Sequence, residues 1–205
     1  MELQDLEIKP LDEAAMSAAR ARQAQLAKPP GSLGRLEELS VQLAGITGKV
    51  QNTIKKKHLL VFAADNGVVE EGVSSAPQSV TLMQTVNLTR AKTGASVLAK
   101  HFGCGITACD VGVNADIAEQ AVLNRKIAYG TKSIAQGPAM TREQALTAIR
   151  TGIELAQSTD ADVLGIGEMG IGNTTTSSAV REVLLSAHVE DVTGRGGGIT
   201  DESFR

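Results

Sequence analysis

Aromatic side chains are nearly missing from this sequence. It has no tryptophan, one tyrosine and three phenylalanines among 205 residues, 2 % of the chain. Hydrophobic residues still make up 42 %, so the core is built from Ala, Val, Leu and Ile. The 21 glycines add many tight turns. Such a composition suits α/β layers in which helices lie close on a sheet. The length fits one domain, or one domain with a small appendage, and is enough to bury a real core.

Cysteine is scarce too. Cys104 and Cys109 are the only two, their C-x4-C spacing is no zinc pattern, and Cys109 reads as a small apolar filler. His58, His101 and His188 are scattered, with no HxxxH or HxH spacing, so no metal is expected. The absence of a signal peptide or long apolar span predicts a reduced, cytoplasmic protein that spans no membrane. A net charge of -3 and a pI near 5.7, with no basic stripe interleaved with aromatics, argue against a nucleic-acid surface. The one basic run, Lys55 to Lys57, reads as a solvated lead-in to a buried strand. There is no internal repeat or low-complexity tract.

What the chain does contain is an orderly alternation. Asp12 is a predicted N-cap for a helix running to about Ala27, ended by Pro29-Pro30. Ser32 is the predicted N-cap of a second helix, on which Leu33, Leu36, Leu39, Leu43 and Ile46 form an apolar stripe closed by Gly48. From His58 the pattern changes. Leu59–Ala64 and Ile106–Val111 are apolar runs of the kind found in strands buried on both faces. A helix from about Gln78 to His101, broken near Gly94, lies between them, and Lys126–Ala128 is a candidate brief strand. Thr141 and Gln144 form a capping box for a helix to about Gln157. Val163–Ile166 is the next strand, followed by a helix over Thr174–Leu185. Such alternation implies a parallel sheet, whose ligands bind at the carboxyl ends of the strands. Three polar loops leave those ends, Asp65–Pro77, Gly112–Asp116 and Gly167–Asn173, and the site is expected among them.

The densest signal is VLGIGEMGIGNTTTSSAV, residues 163–180. It reads as buried strand, glycine loop and helix N-terminus, and unpaired N–H groups there favour a phosphate. Gly165, Gly167 and Gly170 match G-x-G-x-x-G, with Glu190 or Asp191 at a ribose-binding distance. A dinucleotide site is nevertheless disfavoured. Gly165 and Gly167 fall in or at the end of the strand, Glu168 brings negative charge toward the phosphates, and this first βαβ unit would come last in the chain. No Gly-Lys-Ser/Thr follows, which excludes a Walker loop. A structural turn needing glycine only for packing is the remaining alternative.

Four motifs together resemble one family. Lys28–Glu37 reads KPPGSLGRLE, Phe62–Thr81 reads FAADNGVVEEGVSSAPQSVT, Glu168–Thr175 reads EMGIGNTT and Thr193–Ile199 reads TGRGGGI. In this order they are similar to the signatures of the nicotinate-nucleotide:dimethylbenzimidazole phosphoribosyltransferases of cobalamin biosynthesis. The resemblance implies an α/β fold with a Rossmann-like parallel sheet flanked by helices, spanning residues 51–205 and C-terminally incomplete. A small helical element occupies residues 1–50. It also implies transfer of phosphoribose from nicotinate mononucleotide to 5,6-dimethylbenzimidazole or a related base. The products are α-ribazole 5'-phosphate and nicotinate, with no cofactor and no metal, in a homodimer.

By the same resemblance, Gly167, Gly170, Gly172, Asn173, Thr174 and Thr175 line the mononucleotide site. Glu168 matches an active-site carboxylate, its alternative being a turn or helix-start acid. Met169 and Gln84 match positions bordering the aromatic base, although Gln84 alone reads as a solvated helix position. Asp65 either positions the ribose or stabilises its own turn. Lys28 and Arg35 serve either helix packing or a ligand. Ala76 stands where some relatives carry serine, and Gly197 where threonine is usual. Family members continue well past the point matching Arg205, and that stretch holds the principal base, further phosphate contacts and the rest of the sheet. Glu168 is therefore the secondary carboxylate, and little turnover is expected from these residues alone. The alternative is a truncated, non-catalytic nucleotide-binding fragment. A sheet ended here is expected to expose an unpaired edge and to dimerise or aggregate.

Overall fold

A computed structural model describes residues 7–204. The chain divides into two compact units, one ending at Lys55 and the other beginning at Lys56.

The first unit is a helix pair, α1 (Glu13–Gln25) and α2 (Arg35–Thr47). Asp12 caps α1, its Oδ1 accepting from the Ala15 N–H at 2.9 Å. Gly48, in the left-handed region, closes α2. The start of α2 differs from expectation: Gly34, not Ser32, is its N-cap. Residues 29–34 form turns instead, with Ser32 N–H donating to the Pro29 carbonyl and Gly34 N–H to that of Gly31. Glu37 holds these turns in place. Its carboxylate accepts from Lys28 Nζ at 2.7 Å, Leu33 N–H at 3.1 Å and Gly31 N–H at 3.3 Å. KPPGSLGRLE is thus a self-bracing loop within its unit, and Arg35 pairs with the exposed Glu38.

The face of α2 that packs is also not the leucine stripe. Val41 and Ala44 meet Ala15 and Ala19 of α1. Leu33, Leu36, Leu39 and Ile46 are 54, 64, 48 and 64 % exposed. Small side chains explain the choice: at Gly45 an added Cβ would lie 2.7 Å from Met16 Sδ, so the helices meet where one lacks a side chain.

The Lys28 ammonium and the Leu33 N–H hold the Glu37 carboxyl below its ordinary value of 4.5. A depressed folded value stabilises the fold above the unfolded value, and that contribution disappears as pH falls through the folded value. Thermal melts of the wild type and Glu37→Gln are therefore expected to differ at pH 7 and to converge as pH drops below about 4. Identical melts at pH 7 would refute the bracing role.

The second unit is a four-stranded, wholly parallel sheet in the order β3-β2-β1-β4. Its strands are β1 (Lys57–Ala64), β2 (Gly105–Gly112), β3 (Leu123–Asn124) and β4 (Val163–Met169). The third strand is three residues earlier than expected. Residues 126–128 instead follow the end of β2 irregularly, with Ile127 N–H donating to the Val111 carbonyl at 3.1 Å. The helical stretch before β2 is broken near Gly94 as expected, into α3 (Ser79–Thr89) and α4 (Gly94–His101), the second opened by a Thr93–Ser96 capping box. A short 3-10 helix, Gly67–Glu71, forms in the loop after β1.

Alternation along β1 sorts the core onto two faces. Val61 joins Leu88 of α3, Ala108 and Val122 on one. Leu60 joins Cys109 and Leu155 of α5 (Arg142–Ser158) on the other. Leu60 is 2 % exposed, and burial of a leucine side chain contributes about 2 kcal/mol. Cys109 is an inert filler there, burial pushing its thiol up to about 11. The capping box of Thr141 and Gln144 opens α5. After β4 come α6 (Asn173–Leu185), α7 (Val189–Val192) and α8 (Asp201–Phe204). Among the described residues β4 is an edge strand, and α6 buries none of its residues. No helix among them is long and apolar enough to cross a membrane.

Candidate active site

The ends of β1, β2 and β4 are tied together by their loops. Asp65, the first residue after β1, is 3 % exposed. Its N–H donates to the Gly112 carbonyl at 2.9 Å, and its Oδ2 accepts from Asn114 N–H at 2.7 Å. Asp65 therefore ties the first loop to the second; its Oδ1 is buried with no hydrogen-bond partner among the described residues. The second loop is anchored by a buried ion pair. Lys126 Nζ lies 2.8 Å from Asp110 Oδ2, the two side chains 12 and 2 % exposed. Asp110 Oδ1 also accepts from Gly112 and Val113 N–H. The ammonium sits 4.8 Å over the Tyr129 ring. The Tyr129 hydroxyl donates to Asp116 at 2.6 Å, and that carboxylate holds the phenol above its ordinary range.

The glycine loop is shorter than expected. β4 runs through Met169, so Gly167, Glu168 and Met169 are strand residues and the loop is only residues 170–172. The strand alternation explains their different settings. Met169 packs half-buried against the Val61 and Leu88 cluster. Glu168, register partner of Phe62, turns to the other face and is exposed. Its carboxylate accepts from the Asn173 side-chain amide, which places it beside the first turn of α6.

Sterics separate the glycines. At Gly167 the nearest atom to an added Cβ would be Val61 Cγ2 at 3.6 Å, an ordinary contact. At Gly170 it would lie 2.2 Å from the Ala64 carbonyl oxygen. At Gly172, with φ +82, it would lie 2.7 Å from Val69 Cγ2. Of these three, the last two require glycine: Gly170 for close approach, Gly172 for both its left-handed backbone and its lack of space.

Gly172 is also the N-cap of α6 and supplies no side-chain cap. The Asn173 N–H donates to the Gly170 carbonyl at 3.2 Å, and the N–H groups that follow it in the first turn lie at the positive end of a 13-residue helix, where an anion is favoured. A cavity of about 400 Å³ flanks this helix, lined by Thr174, Thr175, Ser178, Arg181 and Arg195 among others. Arg181 and Arg195 were not candidates from sequence. Thr174, Ser178 and Arg181 stand at i, i+4 and i+7, the one-face spacing that could have revealed the first. Arg195 pairs with Asp201. Gln84 is half-buried on α3, one turn beyond the fully buried Thr81. At Gly197 an added Cβ would meet only Ser75 Oγ at 3.8 Å, leaving room for the larger residue usual there. Among the described residues no group of three or more His, Cys, Asp or Glu is placed to hold a metal.

Comparison with known proteins agrees with this architecture. A phosphoribosyltransferase family model matches residues 8–205. The chain is 48 % identical over 200 residues to the nicotinate-nucleotide–dimethylbenzimidazole phosphoribosyltransferase of Clostridium tetani, covering 96 % of this chain and 55 % of that protein. It is 50 % identical over 200 residues to the protein of the same name from Ruminiclostridium cellulolyticum, covering 96 % and 57 %. The crystal structure of CobT from Thermus thermophilus superposes with a TM-score of 0.88 at 39 % identity, over 93 % of this chain and 59 % of that one. The chain thus spans about half the length of the curated relatives it matches. With a match along nearly all its residues and a shared parallel-sheet fold, the chain belongs to the phosphoribosyltransferase family.

Proposed function

We propose that the site at the end of β4 binds nicotinate mononucleotide and serves transfer of its phosphoribosyl group to 5,6-dimethylbenzimidazole or a related base. The products are α-ribazole 5'-phosphate and nicotinate, for cobalamin biosynthesis. One observation carries this reading: the uncapped N-terminus of α6 stands beside a carboxylate, Glu168, held there by Asn173. An anion site alone has no use for an acid at its mouth. Phosphoribosyl transfer has a use for both. The first-turn N–H groups take the phosphate, with Thr174 and Thr175 beside it. A benzimidazole nitrogen attacks the anomeric carbon from the face opposite nicotinate, so the β bond becomes α. The C–N bond to nicotinate breaks, its electron pair leaves with the pyridine nitrogen, and the benzimidazole N–H proton passes to a carboxylate.

In this reading Glu168 is the secondary carboxylate, favouring the positive charge that builds on the base. Gly167, Gly170, Gly172 and Asn173 shape the wall on which the nucleotide lies. Gln84 and Met169 border the base from the α3 side, and Asp65 holds the loop beneath the ribose. The names of relatives about half identical to this chain support the substrates. The same reading has the protein working as a cytoplasmic homodimer, for which the exposed Leu36 and Ile46 faces offer apolar surface.

Calorimetric titration with nicotinate mononucleotide, followed by assay of nicotinate release with dimethylbenzimidazole, tests the proposal. Micromolar to millimolar binding is expected, with Glu168→Gln binding comparably and releasing nicotinate more slowly than the low rate of the unsubstituted chain. No binding by the unsubstituted chain would overturn it. Binding without release would favour the second reading, a nucleotide-binding piece without turnover.

A further inference from the structure

We propose that Asn66 and Thr81 are a positioning pair for the mononucleotide site, gripping both backbone groups of Ile171 and so aiming the first turn of α6 and the Glu168 carboxylate. The proposal rests on the functional reading above for its consequence, and on hydrogen-bond geometry for its substance.

Ile171 is the middle residue of the loop between β4 and α6, flanked by Gly170 and Gly172. Two glycines give a chain more conformations than any other pair and offer no side chain to fasten it. The loop must therefore be held from outside, and it is held at both of its central polar groups. The Ile171 N–H donates to Thr81 Oγ1 at 3.0 Å. The Ile171 carbonyl accepts from Asn66 Nδ2 at 3.1 Å. Thr81 lies in the first turn of α3 and is 0 % exposed, so its hydroxyl is a fixed point in the core. Asn66 lies just past β1, the strand of this sheet that pairs with both β2 and β4.

Asn66 does more than hold the loop. Its Oδ1 accepts from the Thr176 hydroxyl at 3.3 Å, and that hydroxyl also lies 2.8 Å from the Asn173 carbonyl. One side-chain amide thus reaches both the loop and the first turn of α6. Asn173 in turn holds Glu168. The path runs from strand β1 and helix α3, through Ile171 and the α6 start, to the carboxylate, with a hydrogen bond at each joint. Neither Asn66 nor Thr81 needs to touch substrate to matter. A misplacement of about 1 Å in such a site can cost about 10²-fold in function.

Thr85 provides an internal control. It is also 0 % exposed and lies on the same helix, but its hydroxyl bonds back to the Thr81 carbonyl, within the helix itself. Four variants of the chain separate the cases: Thr81→Val, which keeps shape and removes the hydroxyl; Thr81→Ser, which restores it; Asn66→Ala; and Thr85→Val. Two measurements are made on each, amide hydrogen exchange at Ile171 and residues 173–176, and calorimetric affinity for nicotinate mononucleotide. Thr81→Val and Asn66→Ala are expected to speed Ile171 exchange and weaken the affinity, each about tenfold or more. Thr81→Ser and Thr85→Val are expected to stay within about twofold of the parent. Equal behaviour of Thr81→Val and Thr81→Ser, or unchanged exchange in Asn66→Ala, would overturn the proposal. If Thr81→Val does not fold by circular dichroism, Asn66→Ala against Thr81→Ser decides. If the unsubstituted chain binds no mononucleotide, the functional reading falls, and the exchange arm alone still decides the grip on Ile171.

Discussion

Gly170→Ala is expected to destabilise the second unit by about 3 kcal/mol and to abolish mononucleotide binding. The new Cβ would lie 2.2 Å from the Ala64 carbonyl oxygen and 3.0 Å from Asn66 Nδ2. Overpacking costs about 1–3 kcal/mol when side chains can give way. Here the obstacle is backbone of β1, the strand paired on both sides, so the upper end of that range applies. For a domain of this size each kcal/mol lowers the melting temperature by about 2–4 °C, so a fall of about 6–12 °C is expected. Gly167→Ala is the contrast, because its nearest neighbour would be a side-chain methyl group at 3.6 Å. Melting and calorimetry on the two variants check the claim. A Gly170→Ala protein that melts with the parent would refute it.

Lys126→Met is expected to lose about 3 kcal/mol, read as a lower urea midpoint. Removing one member of a buried ion pair leaves the other charge uncompensated, which costs about 3–5 kcal/mol. Asp110 is 2 % exposed and would be left with its two backbone N–H donors. Methionine retains the apolar length of lysine, so lost packing contributes little. The lysine also donates to the Ala115 carbonyl at 3.1 Å and to that of Val113. Its removal therefore frees the loop after β2, and faster proteolysis within residues 113–130 is expected alongside. An unchanged midpoint would show that the pair contributes no net stability.

Much of this protein is legible along the chain. Strands β1, β2 and β4 announce themselves as apolar runs, and the Asp12 cap, the Gly48 stop and the Thr141–Gln144 box mark helix ends. These signals are local, since each depends on neighbours within about four residues. The convergence of three loops at the carboxyl ends of the strands also follows from the alternation, because parallel connections leave little choice. The misreadings have a common origin. Ser32 has capping chemistry, but Glu37 draws the N–H groups of Gly31 and Leu33 into turns, so the helix starts later. The leucines of α2 have the right period, yet the helices meet through Gly45 and the alanines because these allow closer approach. Glu168 and Met169 look like loop and are strand, because pairing with Phe62 and Ala63 carries β4 past Gly167.

The order of elements is written in the chain: a helical hairpin, then an alternation of apolar strands and capped helices ending in a glycine-flanked turn. Periodicity and capping act over short stretches of chain, so composition and order were enough. Folding in three dimensions sets which glycines are obligatory, turns Glu168 away from Met169 to be held by Asn173, and brings Asn66 and Thr81 to Ile171 from 105 and 90 residues away. Those outcomes depend on which face of each strand meets which helix and on which polar groups are left to satisfy one another. A chain settles such pairings only when it closes on itself.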